Sequence, residues 1–302
     1  MSSQADMLEI PTHTIDSSLC TKCQLCVTIC PSGILAEDET KEVFFKPDRV
    51  DICIKCGHCM AMCETGAISI EGLDYETNFR ALPEMKLDYQ GFMDFLISRR
   101  SVRFFRNKEV PRELLQKIVD ALTTAPFGVN PDNVEITVVS DKNLIEEAVP
   151  FISKMYVQFA KILNVPVIGS LMLKILPKEA ASTMVNFILP HIKKGLYVNP
   201  TAIDDIARHA PALILFHARK EAEEHTVDAH IYMTYALLAA HSLGLGATAI
   251  GLIGPGINQS KQVRELFSIP EGHEVVESII VGYPKFPFKR AIVRPRTKVT
   301  FL

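Results

Sequence analysis

Eight cysteines, all between Cys20 and Cys63 of a 302-residue chain, constrain this sequence more than any other feature. They fall in two runs, Cys20-Thr-Lys-Cys23-Gln-Leu-Cys26-Val-Thr-Ile-Cys30-Pro31 and Cys53-Ile-Lys-Cys56-Gly-His-Cys59-Met-Ala-Met-Cys63-Glu64. Both have C-x2-C-x2-C-x3-C spacing. Three thiolates at steps of three wrap a tight loop around three corners of a cubane, and a short helix carries the fourth away to a second cubane. That logic assigns Cys20, Cys23, Cys26 and Cys63 to one [4Fe-4S] cluster and Cys53, Cys56, Cys59 and Cys30 to another. Disulfides suit secreted chains, and adjacent C-x2-C pairs are poorly placed to bridge distant strands. Tetrahedral zinc sites use two C-x2-C pairs and have no need of a cysteine at a second x2 step.

From about residue 13 to residue 72 the chain resembles the bacterial two-cluster ferredoxins, including the Cys30-Pro31 that closes the first run. Glu64 stands where that family repeats the proline, which is expected to loosen the second turn without removing a ligand. Between the runs, Gly33 to Lys46 alternates short apolar pieces with an Asp-Glu-Thr-Lys turn, the pattern of a small hairpin between two pseudo-symmetric halves. So few residues cannot bury a sufficient core, so the clusters are expected to supply most of the stability. Two neighbouring clusters imply one-electron traffic between an external donor and something in the rest of the chain.

No cysteine follows Cys63, so a cysteine-dependent module is joined to a cysteine-free one. The length allows two unequal domains, and 48% hydrophobic residues suffice for a core. A net charge of −3 provides no basic field for nucleic acid. The opening MSSQADMLEIPTHT lacks a basic segment followed by an apolar one, so a cytoplasmic location is expected. The longest apolar stretch, Ile162 to Leu176, is interrupted by Asn164, Pro166, Gly169 and Lys174 and is too short for a transmembrane segment.

Domains are expected at 1–72, with a linker over 73–90, and at 91–302. From Gly91 the pattern is helical, with Phe92, Phe95 and Leu96 on one face, and a second helix starts at Pro111 with Leu114, Leu115, Ile118, Val119 and Leu122 at helical spacing. Strands are legible at Val134 to Ser140, Ala212 to Ala218 and Glu274 to Tyr283, and a long helix runs from about Asp228 to Leu243. Helices and strands interleave, giving an α+β fold with a mixed or antiparallel sheet. Gly244-Leu-Gly246 follows a helix, the wrong context for a dinucleotide turn.

Four segments carry a second resemblance: Arg99-Arg100-Ser101-Val102-Arg103, Ala125-Pro126-Phe127-Gly128-Val129-Asn130, Gly244-Leu-Gly-Ala-Thr-Ala-Ile250-Gly251 and Gly282-Tyr283-Pro284. In order and approximate spacing they resemble the FMN-dependent nitroreductases, over about residues 90–302, and the whole chain resembles ferredoxin-fused members. Flavin mononucleotide needs cations for its phosphate and electron-rich edge, and backbone N–H groups aimed at N5 and O4. The resemblance gives the first role to Arg99, Arg100, Ser101 and Arg103 and the second to Ala249, Ile250, Gly251 and Leu252. Lys289, Arg290 and Arg294 are candidates to complete the phosphate site. Pro126, Phe127, Gly128 and Asn130 resemble the loop that packs on the flavin from the partner subunit of a homodimer, although Asp132-Asn133-Val134 replaces the family's usual Gln-Pro-Trp. An insertion at about 155–197 is expected to cover the flavin as a lid, against the alternatives of extra core, dimer interface or peripheral membrane contact. His209, His225 and His230 lack ligand spacing and read as packing or surface residues.

These readings combine into an oxidoreductase of an anaerobic cell, with no side-chain nucleophile. Two [4Fe-4S] clusters take electrons from reduced ferredoxin or a similar donor, and FMN reduces a small nitroaromatic, quinone or activated alkene. The alternative is an electron-transfer flavoprotein that delivers electrons to a protein partner or free flavin.

Overall fold

The computed structural model describes residues 12–163, 165–176, 178–193, 204, 206–292, 294 and 298–302. The first eleven residues of the expected N-terminal domain, and residues 164, 177 and 194–197 of the expected insertion, lie outside them. The chain divides into two compact units, Met1–Lys86 and Leu87–Leu302.

In the first unit the two cysteine runs fold alike. Lys22 and Gln24 flank Cys23 with φ of 57° and 62°, and Lys55 and Gly57 flank Cys56 with φ of 50° and 72°. Left-handed residues on either side of the middle cysteine curl each run into a loop, at a cost of about 1 kcal/mol or more for each non-glycine residue. Each loop opens into one short helix, α1 (Leu25–Ile29) and α2 (His58–Ala61), and then a turn in which Gly33 N–H donates to Cys30 O and Gly66 N–H donates to Cys63 O, both at 3.2 Å. The Glu64 turn therefore closes as the Pro31 turn does, and the expected loosening is absent. The glycine three residues after the cysteine, with φ of 59° at Gly33 and 68° at Gly66, carries the reversal in both.

Strand β1 (Thr14–Ile15) pairs antiparallel with β4 (Ile68–Ser69), and β2 (Leu35–Glu37) pairs with β3 (Val43–Phe45) as the expected hairpin. Asp38 closes that hairpin by accepting the N–H groups of Thr40 and Glu42. The segment read as linker begins with structure. Asp74 caps α3 (Tyr75–Asn78), and Leu73, Tyr75 and Phe79 pack against the core of the first unit. Aromatic side chains there find an apolar surface that the mixed sequence pattern hides.

The second unit is a four-stranded antiparallel sheet in the order β5 (Glu135–Val139), β6 (Ala212–Arg219), β8 (His273–Gly282), β7 (Gly246–Ala249). Every residue of β6 up to Ala218 is buried, which explains its unbroken Ala-Leu-Ile-Leu-Phe run: helices cover both faces. On one face α6 (Lys142–Leu163), α11 (Ile253–Gln259) and α12 (Lys261–Leu266) enclose Ile152, Leu213, Leu215, Ile257 and Ile280. On the other α5 (Arg112–Leu122) and α10 (His225–Ser242) enclose Ile118, Ile214, Phe216, Ala236 and Ile279. The remaining helices are α4 (Tyr89–Ser98) and, after α6, α7 (Pro166–Ile175), α8 (Lys178–Thr183) and α9 (Leu189–Lys193), with a π-helical turn over Met184–Ile188.

Met155, where the insertion is expected to begin, lies inside α6, in which the buried series Ile145, Val149, Ile152, Tyr156 and Ala160 runs past Pro150 without a break. The glycine pair ending α10 leads at once into β7, a strand not recognised in the sequence because Gly-Ala-Thr-Ala has weak strand propensity and gains its place by pairing with β8. Among the described residues no single helix is long and apolar enough to cross a membrane.

Candidate functional site

Most of the sequence-predicted site residues gather at three places, one in the first unit and two in the second. In the first, Cys20, Cys23, Cys26 and Cys63 line one cavity. Cys59 feels the charges of Cys56, Cys30 and Cys53, which form the other group. The helices produce this exchange. Each fourth cysteine follows its helix, and α1 and α2 lie side by side. None of the eight forms a disulfide.

Burial pushes the Cys59 thiol up to about 12, and the neighbouring sulfurs reinforce it against the Met60 N–H. Burial likewise raises Cys26 and Cys53. At Cys63 burial acts in the same direction but is outweighed by hydrogen bonds, among them Ala67 N–H donating to Sγ at 3.3 Å, and the pKa falls. Crowded, buried thiolates are unfavourable in an empty site and become favourable around a polynuclear cation. The donor set therefore fits two iron–sulfur cubanes.

In the second unit, the Arg99 to Arg103 segment is fixed by the edge of the sheet. Val102 N–H donates to Ala247 O at 3.1 Å, and Ser101 bridges Ala247 in parallel register. Gly246 allows this approach, since a Cβ there would lie 2.6 Å from the Val102 side chain. Phe104 to Arg106 then pairs with the Gly-Tyr-Pro segment: Arg106 N–H donates to Tyr283 O at 2.8 Å and Lys285 N–H to Phe104 O at 2.9 Å. Gly282 is required there, because a Cβ would meet Pro211 at 2.7 Å and Phe105 at 2.8 Å. Three of the four sequence motifs thus converge on one sheet edge.

The result is a cleft of about 440 Å³ lined by Arg99, Arg100, Ser101, Arg103 and Arg294, with Phe104, Phe286 and Phe288 as apolar walls. Burial and then the neighbouring Arg100 charge lower the Arg99 pKa. Among the described residues no carboxylate forms an ion pair with Arg99, Arg100, Arg103 or Arg294, so the cleft carries excess positive charge suited to a phosphate. His241, whose Nε2 lies 2.8 Å from Ser98 Oγ, is held below its usual pKa by burial and then by Arg99, and adds no competing cation.

A second cavity, about 550 Å³, is lined by Met155, Tyr156, Phe159, Met184, Phe187, Gly251 and Leu252. The Tyr156 hydroxyl donates to Leu252 O at 2.9 Å and fixes the loop after β7 against α6. Among the described residues no charged side chain lines it. The two cavities place Arg294 with the first-motif arginines and Gly251 and Leu252 with the insertion. Ala249 is exposed at the end of β7 and Ile250 is buried behind it. Lys289 and Arg290 are exposed and line neither cavity.

Pro126, Phe127, Gly128 and Asn130 also stand apart from both cavities within this chain. Gly128 N–H donates to Asp228 at 2.9 Å, and Asn130 caps a short turn by accepting the Asp132 N–H at 3.0 Å. The phenylalanine walls were missed in the sequence. Their signal was Phe286-Pro-Phe288 placed directly after Gly-Tyr-Pro, apolar residues at a position where a chain leaving a sheet is ordinarily polar.

Comparison with known proteins follows the same division. A model of the 4Fe-4S dicluster domain matches residues 19–68, and a model of the Nitroreductase family matches residues 96–283. A Methanothermobacter thermautotrophicus protein with the provisional name NADH dehydrogenase/NAD(P)H nitroreductase is 28% identical over 66% of this chain and 80% of its own length. Mouse iodotyrosine deiodinase 1 is 32% identical over 25% of this chain and 27% of its own. A solved nitroreductase from Bacteroides fragilis with bound FMN superposes with a TM-score of 0.52 at 20% identity, over 70% of this chain and 98% of that one, a likeness of fold.

Proposed function

The chain belongs to the nitroreductase family, and from that premise we propose that it is an FMN-dependent oxidoreductase supplied with electrons through its own iron–sulfur unit. The first unit takes single electrons from reduced ferredoxin or a similar low-potential donor, with Cys20, Cys23, Cys26 and Cys63 holding one [4Fe-4S] cluster and Cys53, Cys56, Cys59 and Cys30 the other. Arg99, Arg100, Ser101, Arg103 and Arg294 hold the FMN phosphate and polar edge. Ala249 to Leu252 present backbone to the ring, and Lys289 and Arg290 are secondary phosphate candidates. FMN, when bound, supplies a hydride from N5 to an electrophilic acceptor.

The remaining work falls to this chain's residues. The arginines neutralise the cofactor's charge, the Tyr156 bond to Leu252 O fixes the loop, and the wall of Met155, Phe159, Met184 and Phe187 excludes water. A second copy of the chain supplies Pro126, Phe127, Gly128 and Asn130, the loop that reaches neither cavity of its own subunit. Nitroaromatics, quinones and activated alkenes are the acceptor classes, in the cytoplasm of an anaerobic cell. The cavity of about 550 Å³ beside Gly251, with no charged side chain among the described residues that line it, favours a small apolar acceptor over delivery to a protein partner or free flavin.

One observation carries this reading: three motifs far apart in sequence meet at one sheet edge and leave, around a single cleft, arginines with no carboxylate partner among the described residues. The test is anaerobic purification with iron, sulfide and FMN quantified, then reduction by ferredoxin and separately by NADH or NADPH. Ferredoxin-dependent, saturable turnover of a small electrophile is expected. Rapid turnover with a pyridine nucleotide alone would remove the clusters from the input route, and stoichiometric transfer to a protein without saturation by any small acceptor would establish the electron-carrier alternative.

A further inference from the structure

Away from both cavities, the sheet register assembles Glu135, His217 and His273, residues that the sequence scatters over three strands. Glu135 and Thr137 share a face of β5, and Glu135 lies opposite His217 on β6. On the far side of β6, Arg219 lies opposite His273. A bulge at Phe216/His217, where β8 spends an extra residue, turns the end of β8 over, so His273 points to the same face as His217. Without the bulge it would point to the opposite face.

The two imidazoles are almost fully buried, and their Nδ1 atoms are 3.1 Å apart. Their other nitrogens are engaged. His217 Nε2 is 2.9 Å from Thr137 Oγ1, and His273 Nε2 is 3.7 Å from Glu135 Oε1. With an N–H on each of those outer nitrogens, two bare Nδ1 lone pairs face each other across 3.1 Å. A cation between them then takes the place of the proton that bridges the pair when the Thr137 hydroxyl donates to His217 instead. A hydroxyl behind the outer N–H, as Thr137 lies behind His217, is also how metal-ligating histidines are oriented.

We propose that Glu135, His217 and His273 form a binding site for one divalent cation of the zinc class, independent of the flavin and cluster sites. Two nitrogens 3.1 Å apart that share a cation at about 2.0–2.1 Å subtend about 100° at it, compatible with tetrahedral coordination. One ligand atom from each of the three residues lies within 4.8 Å of the others, and the half-exposed Glu135 side chain completes the set by swinging from His273 Nε2 towards the Nδ1 pair. Water fills the open position on the solvent side. Two imidazoles select zinc, nickel or cobalt over magnesium and calcium. Arg264 is the opposing charge. It donates to His273 O at 2.8 Å and Pro270 O at 2.7 Å, tying the start of β8 to α12 while it weakens the pull on a cation. Bound there, the ion clips the ends of β5, β6 and β8 together.

The test uses iron- and sulfide-replete protein, so that the eight thiolates are occupied, dialysed anaerobically against buffered Zn²⁺. One zinc per chain with no loss of iron is expected, absent in His273→Gln. Thr137→Val, which keeps all three ligands but removes the oriented hydroxyl, should weaken affinity by about tenfold or more. It keeps the test decisive if His273→Gln fails to fold. In Co²⁺-loaded protein, X-ray absorption should show nitrogen and oxygen at about 2.0–2.2 Å; a sulfur shell near about 2.3 Å would place the ion on cysteine and overturn the proposal. Equal zinc binding by wild type and both variants, or none by wild type, would overturn it too and leave a hydrogen-bonded histidine pair.

Discussion

The two units of this chain are built on different terms. In the first, six of the eight cysteines belong to the hydrophobic cluster or pack directly on it, so the ligands are also the core. In the second, the sheet carries an apolar cluster on each face and the candidate cofactor cleft lies at its edge. Losing a bound group should therefore dismantle the first unit and merely empty the second.

The largest expected effect tests that contrast directly. Anaerobic chelation of iron should abolish hydrogen-exchange protection throughout residues 12–86, because cluster binding there is folding free energy. Protection in β6 and β8 should be unchanged. A first unit that stays protected without iron would erase the distinction. Next in size, Arg99→Ala removes a charge-assisted contact of about 1.5–3 kcal/mol and should weaken FMN binding about 10- to 100-fold, read by fluorescence titration, with iron content and melting temperature of the apo-protein unmoved.

The same contrast governs what the sequence revealed. Ligand spacing along one run is local, so Cys20 to Cys30 could be read as a loop and helix around a cubane, and the structure returned both loops and the crossed fourth cysteine. The apolar runs of β6 and β8 and the periodicity of α5 and α10 were legible for the same reason. Relations between distant segments were not. Ser101 beside Ala247, Phe105 beside Pro284 and His217 against His273 depend on strand order and on one bulge, neither of which leaves a local signal. The expected start of the insertion at Met155 falls within α6, whose buried periodicity runs unbroken from Ile145 to Ala160.

Two glycines sharpen the comparison at lower cost. Gly282 has ordinary backbone but no room, so Gly282→Ala should cost about 1–3 kcal/mol through forced repacking against Pro211 and Phe105. Gly33 has room, its nearest contact being the Arg49 tip at 3.6 Å, but a φ of 59°. Gly33→Ala should cost about 1 kcal/mol, for conformation alone. Urea unfolding of each unit measures both. A larger loss at Gly33 would mean that the cysteine loops depend more on backbone conformation than on their ligands.

The smallest effect concerns a buried charge that the second unit tolerates at the foot of α10. Asp228 is 1% exposed. Its Oδ1 accepts the Gly128 N–H, while Oδ2 has no hydrogen-bond partner among the described residues. Burial raises its pKa, the Gly128 bond opposes the shift, and Glu224 adds to it. The folded chain thus holds this proton more tightly than the unfolded chain does. The carboxylate is a penalty at neutral pH, relieved as the pH falls through the folded pKa towards 3.8. Asp228→Asn keeps an oxygen for Gly128 and removes the charge, so it should stabilise the second unit at pH 7 by at most about 1 kcal/mol, with the advantage shrinking on acidification. Urea midpoints at pH 7 and pH 5 decide it. If the variant is less stable at both, the carboxylate is engaged by a group outside the described residues, and the second copy of the chain proposed above to receive the Gly128 loop becomes the place to look.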